Sequence, residues 1–175
     1  MSTASIRTLG TDELDTHLTA LAGVLHACVN AGAAMSFVQP FSMQDSRRFW
    51  EDKVFPPVRN SDKILLIAEW EETLVGTVQL DVGLPPNQPH RCEVAKLGVL
   101  PRYRGLGIAT QLMQRLEQLA RDGQKTLITL DTRTGDKAEP LYRSLGYREA
   151  GIIPDFALNA DLSGTHSTTY MYKNV

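Results

Sequence analysis

The sequence predicts a mixed α/β fold whose central sheet is mostly antiparallel. Three strand-like segments, residues 63–70, 73–82 and 91–100, follow one another without an intervening helical pattern, unlike an alternating parallel fold. A β–α–β unit comes only afterwards, from residues 91–100, 105–122 and 126–131. The chain has 175 residues, 42% hydrophobic and 22% charged. That suits one compact domain over residues 1–175, with a core large enough to need no disulfide or metal.

The elements read as follows. Residues 6–9 form a short first strand. Asp12 is placed as the N-cap of a helix reaching about Asn30; Leu14, Leu18, Leu21, Leu25 and Val29 give it one buried stripe. A small-residue apolar loop, residues 31–37 (AGAAMSF), closes at Gln39-Pro40. Ser42 caps a second helix carrying Phe49 and Trp50, which should stop before Pro56-Pro57. Residues 63–70 (KILLIAEW) are a buried strand, and 73–82 its hairpin partner across Glu71-Glu72. A proline-rich loop, 83–90, leads into the long strand 91–100. Residues 105–122 are a helix with Ile108, Leu112, Leu116 and Leu119 on one face, ended by Gly123. Residues 126–131 are a strand and 137–145 a short helix stopped by Gly146. Segments 147–153 and 168–173 close the sheet, separated by an irregular stretch, 154–164.

Charge and composition exclude several functions. Eighteen Lys and Arg against twenty Asp and Glu give a net charge of −2, unlike a free-standing nucleic-acid binder. The most apolar stretch, 18–29, contains Thr19 and His26 and is too short to span a bilayer. The first residues lack the pattern of a signal peptide, so a soluble cytoplasmic protein is expected. Cys28 and Cys92 are read as buried thiols. His17, His26, His90 and His166 show no metal-ligand spacing, so no metal is expected.

Chemistry concentrates in residues 99–110 (VLPRYRGLGIAT), which join a strand to a helix. Gly105 and Gly107 leave the backbone open to close approach by a ligand, and the helix start offers unpaired N–H groups and a positive dipole end. Residues 96–116 carry Lys96, Arg102, Arg104 and Arg115 and no acid. An anion site for a pyrophosphate-bearing cofactor follows. A dinucleotide fold is imitated by Gly105, Gly107 and Asp131, but Thr110 replaces its third glycine and residues 101–104 separate strand from turn.

Residues 104–109 (RGLGIA) match the Arg/Gln-x-x-Gly-x-Gly/Ala signature, and the chain here resembles the GNAT superfamily of N-acetyltransferases. Residues 91–100 with Pro101 resemble its fourth strand, and 126–131 its fifth. Residues 138–147 (AEPLYRSLGY) resemble its A-x-x-x-Y-x-x-x-G-F ending. The resemblance covers nearly the whole chain. NAGAAMSF, CEVAKLGVLPRYRGLG, QLMQRLEQLA, LDTRTGDKAEPLYRSLGY and THSTTYMYK look like the tabtoxin-resistance branch, which acetylates an amino group of a β-lactam amino-acid toxin.

The resemblance implies a mostly antiparallel sheet with splayed fourth and fifth strands, helices on both faces, and acetyl-CoA as cofactor. Backbone groups of Leu97, Gly98 and Val99 would pair with the pantetheine arm, with an N–H near Val99 as oxyanion donor. Arg104, Gly105, Leu106, Gly107, Ile108, Ala109 and Thr110 would hold the phosphates, and Thr132 and Ala138 would complete the cofactor site. Tyr142 matches the tyrosine near the cofactor sulfur. Its hydroxyl would protonate the leaving thiolate or hydrogen-bond it.

Transfer to an amine also needs a base, because an ammonium is protonated at neutral pH. Glu93 leads, since period-2 alternation puts it on one face with Ala95, Leu97 and Val99. Asp131, ending the next strand, could join it through water. Glu93 equally fits an ion pair with Arg91 or Lys96, and Asp131 a turn cap. Cys92 falls on the opposite face from Glu93, which favours direct transfer in a ternary complex over a thiol nucleophile. Tyr147 is read as core and Tyr103 as surface. In the acceptor region, Ala33 leaves room, Met35 and Phe37 offer apolar contact, and Asp155 lies in a possible opposite wall. A small amine, amino-acid-like or antibiotic-like, fits such a pocket. The partner expected is that small molecule, with no nucleic acid or membrane, for a monomer or homodimer. A catalytically silent acyl-CoA-binding or sensing domain is the alternative.

Overall fold

The computed structural model describes residues 4–175. Residues 1–3, the head of the segment read above for a targeting signal, lie outside the described residues. In order the elements are β1 (Ser5–Thr8), α1 (Leu14–Asn30), α2 (Met43–Phe49), α3 (Phe55–Arg59), β2 (Lys63–Trp70), β3 (Thr73–Asp81), β4 (Arg91–Val99), α4 (Ile108–Asp122), β5 (Leu127–Arg133), α5 (Ala138–Ser144), β6 (Arg148–Leu158) and β7 (Thr165–Asn174). The strands form one sheet in the order β1-β2-β3-β4-β5-β7-β6. Every neighbouring pair is antiparallel except β4 and β5.

Alternation along the strands makes two cores. Leu65 and Ile67 face α1, Trp50 and Phe55. Leu66 and Ala68 face Leu112 and Leu116 of α4, and Tyr142 of α5 joins that second cluster. Helices thus cover both faces, as expected. The β2–β3 hairpin turns at Glu71 and Glu72, both with positive φ (48° and 63°), the pair of left-handed residues a two-residue turn requires.

Some boundaries differ from expectation. Asp12 is not the cap of α1. Glu13 takes that position without a side-chain cap bond, because its carboxylate accepts instead from the Gly10 N–H (2.9 Å) and from Arg7 (2.9 Å). Ser42 does cap α2: the Asp45 N–H donates to its hydroxyl, and the Ser42 N–H donates to the Asp45 carboxylate. The second helical region does not stop before Pro56-Pro57. A wide π-type turn over Trp50–Val54 leads into α3, with the prolines in its first turn, where a missing N–H costs nothing. β6 runs on to Leu158 through a bulge between Ile153 and Ala157, so only residues 159–164 of the expected irregular stretch remain outside strands.

Under α4, Lys173 of β7 donates to Glu117 (2.6 Å) and to the Leu145 carbonyl (2.6 Å). The Glu117 side chain is 5% exposed and the Lys173 side chain 19%. Removing Lys173 leaves the buried Glu117 carboxylate with only the longer contact to Arg121 at 3.7 Å. Lys173→Met is expected to lower the unfolding free energy by about 3 kcal/mol, measured by urea titration; a loss below about 0.5 kcal/mol, the ordinary surface range, would contradict the buried-pair account.

Candidate active site

The site opens where two strands part. β4 and β5 are in register only at Arg91–Leu127, Cys92–Ile128 and Glu93–Thr129. Beyond that, β4 stays with β3 as far as Val99, and β5 stays with β7 as far as Arg133. A cavity of about 740 Å³ lies along the parting, lined by residues 93–99 of β4, by Asp131 and Thr132 of β5 and by the start of α4. The Leu100 N–H donates to the Val75 carbonyl (2.8 Å). Val99 stands opposite Gly76, one step along the same ladder, so alternation turns its N–H and C=O away from β3.

A bulge reorganises β4. Gln79 faces Ala95 while Thr77 faces Gly98, so Lys96 and Leu97 together oppose Val78, and Lys96 takes φ 52°. Side-chain parity shifts there. Cys92, Val94, Leu97 and Val99 all join the α4-side cluster. A Cβ on Gly98 would meet Met35 and Cys28 at 3.3 and 3.4 Å on the α1 side. Glu93 therefore shares its face with Ala95 and Gly98, not with Leu97 and Val99 as simple alternation implied. Cys92 does lie on the opposite face from Glu93.

At the head of α4, Gly105 and Gly107 take φ 79° and 77°, which glycine adopts without strain. The helix starts at Ile108, not at Gly105. Its first backbone bond runs from the Gln111 N–H to the Gly107 carbonyl (3.1 Å), which leaves the N–H groups of Ile108, Ala109 and Thr110 without helical acceptors. Open space surrounds the Cβ position of Gly105. These features fit a diphosphate. Leu106 is exposed (49%) and absent from the cavity lining, whereas Arg104, Gly105, Gly107, Ile108, Ala109 and Thr110 line it.

The expected basic cluster does not converge. The Arg104 Nε donates to the Val99 carbonyl (3.1 Å). Arg102 stacks on the Tyr103 ring at 5.0 Å. Arg115 lies on the exposed side of α4. Lys96 reaches the other way, donating to the Ser36 hydroxyl (2.9 Å) above the Phe37 ring. What this turn presents to a ligand is therefore backbone N–H groups and the positive end of the helix dipole. Tyr103, expected at the surface, is half-buried against Trp70.

Tyr142 and Ala138 of α5 line the same cavity. Tyr142 is 5% exposed; burial first, then Asp131 and Asp136, push its hydroxyl well above the usual phenol range, so it keeps its proton. Glu93 is ion-paired with Arg91 at 2.9 Å, and Asp131 accepts from the Thr168 hydroxyl at 3.2 Å; both carboxylates line the cavity. Burial lifts the Cys92 thiol to about 11 and also raises Cys28, so neither is a thiolate at neutral pH.

Ala33 and Met35 line the cavity. Phe37 does not; it packs against Phe41 and Phe49 with ring centroids 4.6 and 5.0 Å apart. Asp155 is outside too, because the β6 bulge turns it to accept from Thr165 (2.6 Å). Sequence reasoning missed Asp136 and Lys137, which also line the cavity. Their place just before Ala138 was the available signal.

Comparison with known proteins agrees with this geometry. The family model described as acetyltransferase (GNAT) family matches residues 31–147. Human N-acetyltransferase 8B is 36% identical over 108 residues, 61% of this chain and 47% of that protein. The Mycobacterium tuberculosis N-alpha-acetyltransferase RimI is 39% identical over 82 residues, 46% of this chain and 49% of that protein. The matched stretch thus spans about half the length of these relatives. The solved structure of yncA from Salmonella typhimurium, with its cofactor acetyl-CoA, has a TM-score of 0.77 at 17% identity, covering 98% of this chain and 93% of that one. A family match over two-thirds of the chain, with the parted strands and the glycine turn it implies, establishes that the chain belongs to the acetyltransferase (GNAT) family.

Proposed function

We propose that the chain is an acetyl-CoA-dependent N-acetyltransferase that acetylates a primary amine of a small amino-acid-like molecule, by direct transfer in a ternary complex. The observation that carries this is the cleft between β4 and β5, which runs to the unpaired N–H groups at the head of α4. Leu97, Gly98 and Val99 would hold an extended pantetheine arm in that cleft. The turn from Arg104 to Thr110 would hold the diphosphate, with Thr132 and Ala138 beside it. Acetyl-CoA, when bound, would supply the acetyl group of its thioester: the amine nitrogen bonds the carbonyl carbon, the carbon–sulfur bond breaks, and coenzyme A leaves as the thiolate.

The chain's own residues have distinct tasks. The Val99 N–H, turned away from β3, is the donor for the developing oxyanion. Glu93 and Asp131 take the ammonium proton through water, with Arg91 holding the Glu93 carboxylate in place. Tyr142, kept protonated by burial, donates a hydrogen bond to the departing sulfur, which leaves as a thiolate and takes its proton from water. The high thiol affinity of Cys92 for its proton supports attack by the amine itself.

The acceptor reading rests on the small residues Ala31, Gly32 and Ala33 along one wall, and on the resemblance to the tabtoxin-resistance branch. A protein α-amino group is the second reading, favoured by the similarity to RimI. Thiol release measured over amino acids, antibiotic-like amines and short peptides with free N-termini separates them. Small amines are expected to turn over at least tenfold faster, and a reversed order would favour the second reading. If no acceptor releases thiol while acetyl-CoA binds, the chain is a silent acyl-CoA-binding domain.

Gly107→Ala places a Cβ at φ 77°, strained by about 1 kcal/mol or more. It is expected to weaken coenzyme A binding about tenfold in calorimetric titration, and unchanged affinity would refute the diphosphate assignment. Tyr142→Phe is expected to lower kcat about a hundredfold while coenzyme A affinity stays within about threefold. Because the folded-state hydroxyl titrates only above the ordinary phenol range, its loss of protonation should not reduce parent turnover below about pH 10. A turnover limb in the parent that falls between pH 8 and pH 10 and disappears in Tyr142→Phe would contradict this role.

A further inference from the structure

We propose that Lys96 is the carboxylate-binding residue of the acceptor site, so that the acceptor carries a carboxylate as well as the amine that is acetylated. This rests on the acetyl-transfer reading above and names its substrate class. Lys96 sits at the bulge of β4 with φ 52°, a conformation a lysine seldom adopts, and bulges re-aim side chains beside binding sites. Here the bulge takes the ammonium away from the glycine turn and over the acceptor loop, where the Phe37 ring lies 5.6 Å below it.

The charge of Lys96 is also unbalanced. On the same sheet Lys63 is paired with Asp81 at 2.8 Å and Arg91 with Glu93 at 2.9 Å. Lys96 has no ion-pair partner among the described residues. Its ammonium, with three donor hydrogens, gives one bond to the Ser36 hydroxyl. Burial lowers its proton affinity, partly offset by Asp131 across the cavity. A half-desolvated ammonium with free donors on a cavity wall is the complement of a carboxylate.

Lys96 lines the same cavity as Glu93 and Asp131. A zwitterion satisfies both signs: its ammonium faces the carboxylates and its carboxylate faces Lys96. A diamine of similar size would bring a second cation against Lys96, a repulsion that discriminates against polyamines.

The test compares acceptors that differ only in that carboxylate, namely amino acids and their carboxamides, by thiol release with the parent protein, Lys96→Gln and Lys96→Arg. The parent is expected to favour the acids over the amides about tenfold or more in kcat/KM, the scale of one hydrogen bond to a charged group. In Lys96→Gln the ratio is expected to fall to within about threefold of one, mainly through a raised KM for the acids. Lys96→Arg is expected to restore most of the preference. A parent that accepts amides as well as acids overturns the inference, with no variant needed. So does a Lys96→Gln protein that remains folded and keeps the parent ratio. Should the parent acetylate no acceptor at all, the acetyl-transfer reading fails first and this inference with it.

Discussion

Parallel pairing between β4 and β5 ends after Glu93 and Thr129, and each strand then keeps company with its antiparallel neighbour on the other side. Everything at the site depends on that parting. Two strands that stayed zipped would satisfy each other's N–H and C=O groups and leave no room between them. Once parted, β4 offers backbone groups such as the Val99 N–H to whatever enters. The rest of the sheet makes the gap affordable, because β3 and β7 hold the outer edges of β4 and β5 over long registers and the two cores clamp the sheet from both faces.

The bulge at Lys96 is the local device behind the parting. One extra residue opposite Val78 bends β4 and reverses the side-chain parity beyond it. Upstream, Glu93 and Ala95 face α1; downstream, Leu97 and Val99 face α4. A single irregularity thus divides one strand into a half bearing charged side chains on the α1 side and a half that turns Leu97 and Val99 to the α4 side. The same division separates the charges. Lys96 reaches toward Ser36 and Phe37, while the glycine turn presents N–H groups and the dipole of α4, with the nearby arginines engaged elsewhere.

Much of this was legible from residue order alone. The run of three strands excluded a doubly wound sheet, the two acidic turn residues marked the β2–β3 hairpin, and the spacing of Gly105 and Gly107 located the left-handed turn at the head of α4. Three things were not legible. Gly98 inside β4 signals an irregular backbone but does not say which residue is the extra one, so the parity of Leu97 and Val99 was misread. Pro56-Pro57 reads as a helix stop until the preceding π-type turn makes it a helix start. Basic residues close in sequence looked like one patch, but strand, turn and helix geometry sends Lys96, Arg102, Arg104 and Arg115 in different directions. Asp155 was lost for a similar reason, since a second bulge, in β6, turns it toward Thr165.

A crystal structure of the protein grown with acetyl-CoA tests the central claim most directly. The account predicts the diphosphate on the N–H groups between Gly105 and Thr110, and the pantetheine arm lying between β4 and β5 as an added strand against Leu97 and Val99. Coenzyme bound elsewhere, or β4 and β5 hydrogen-bonded to each other beyond Glu93 with the arm outside them, would contradict it.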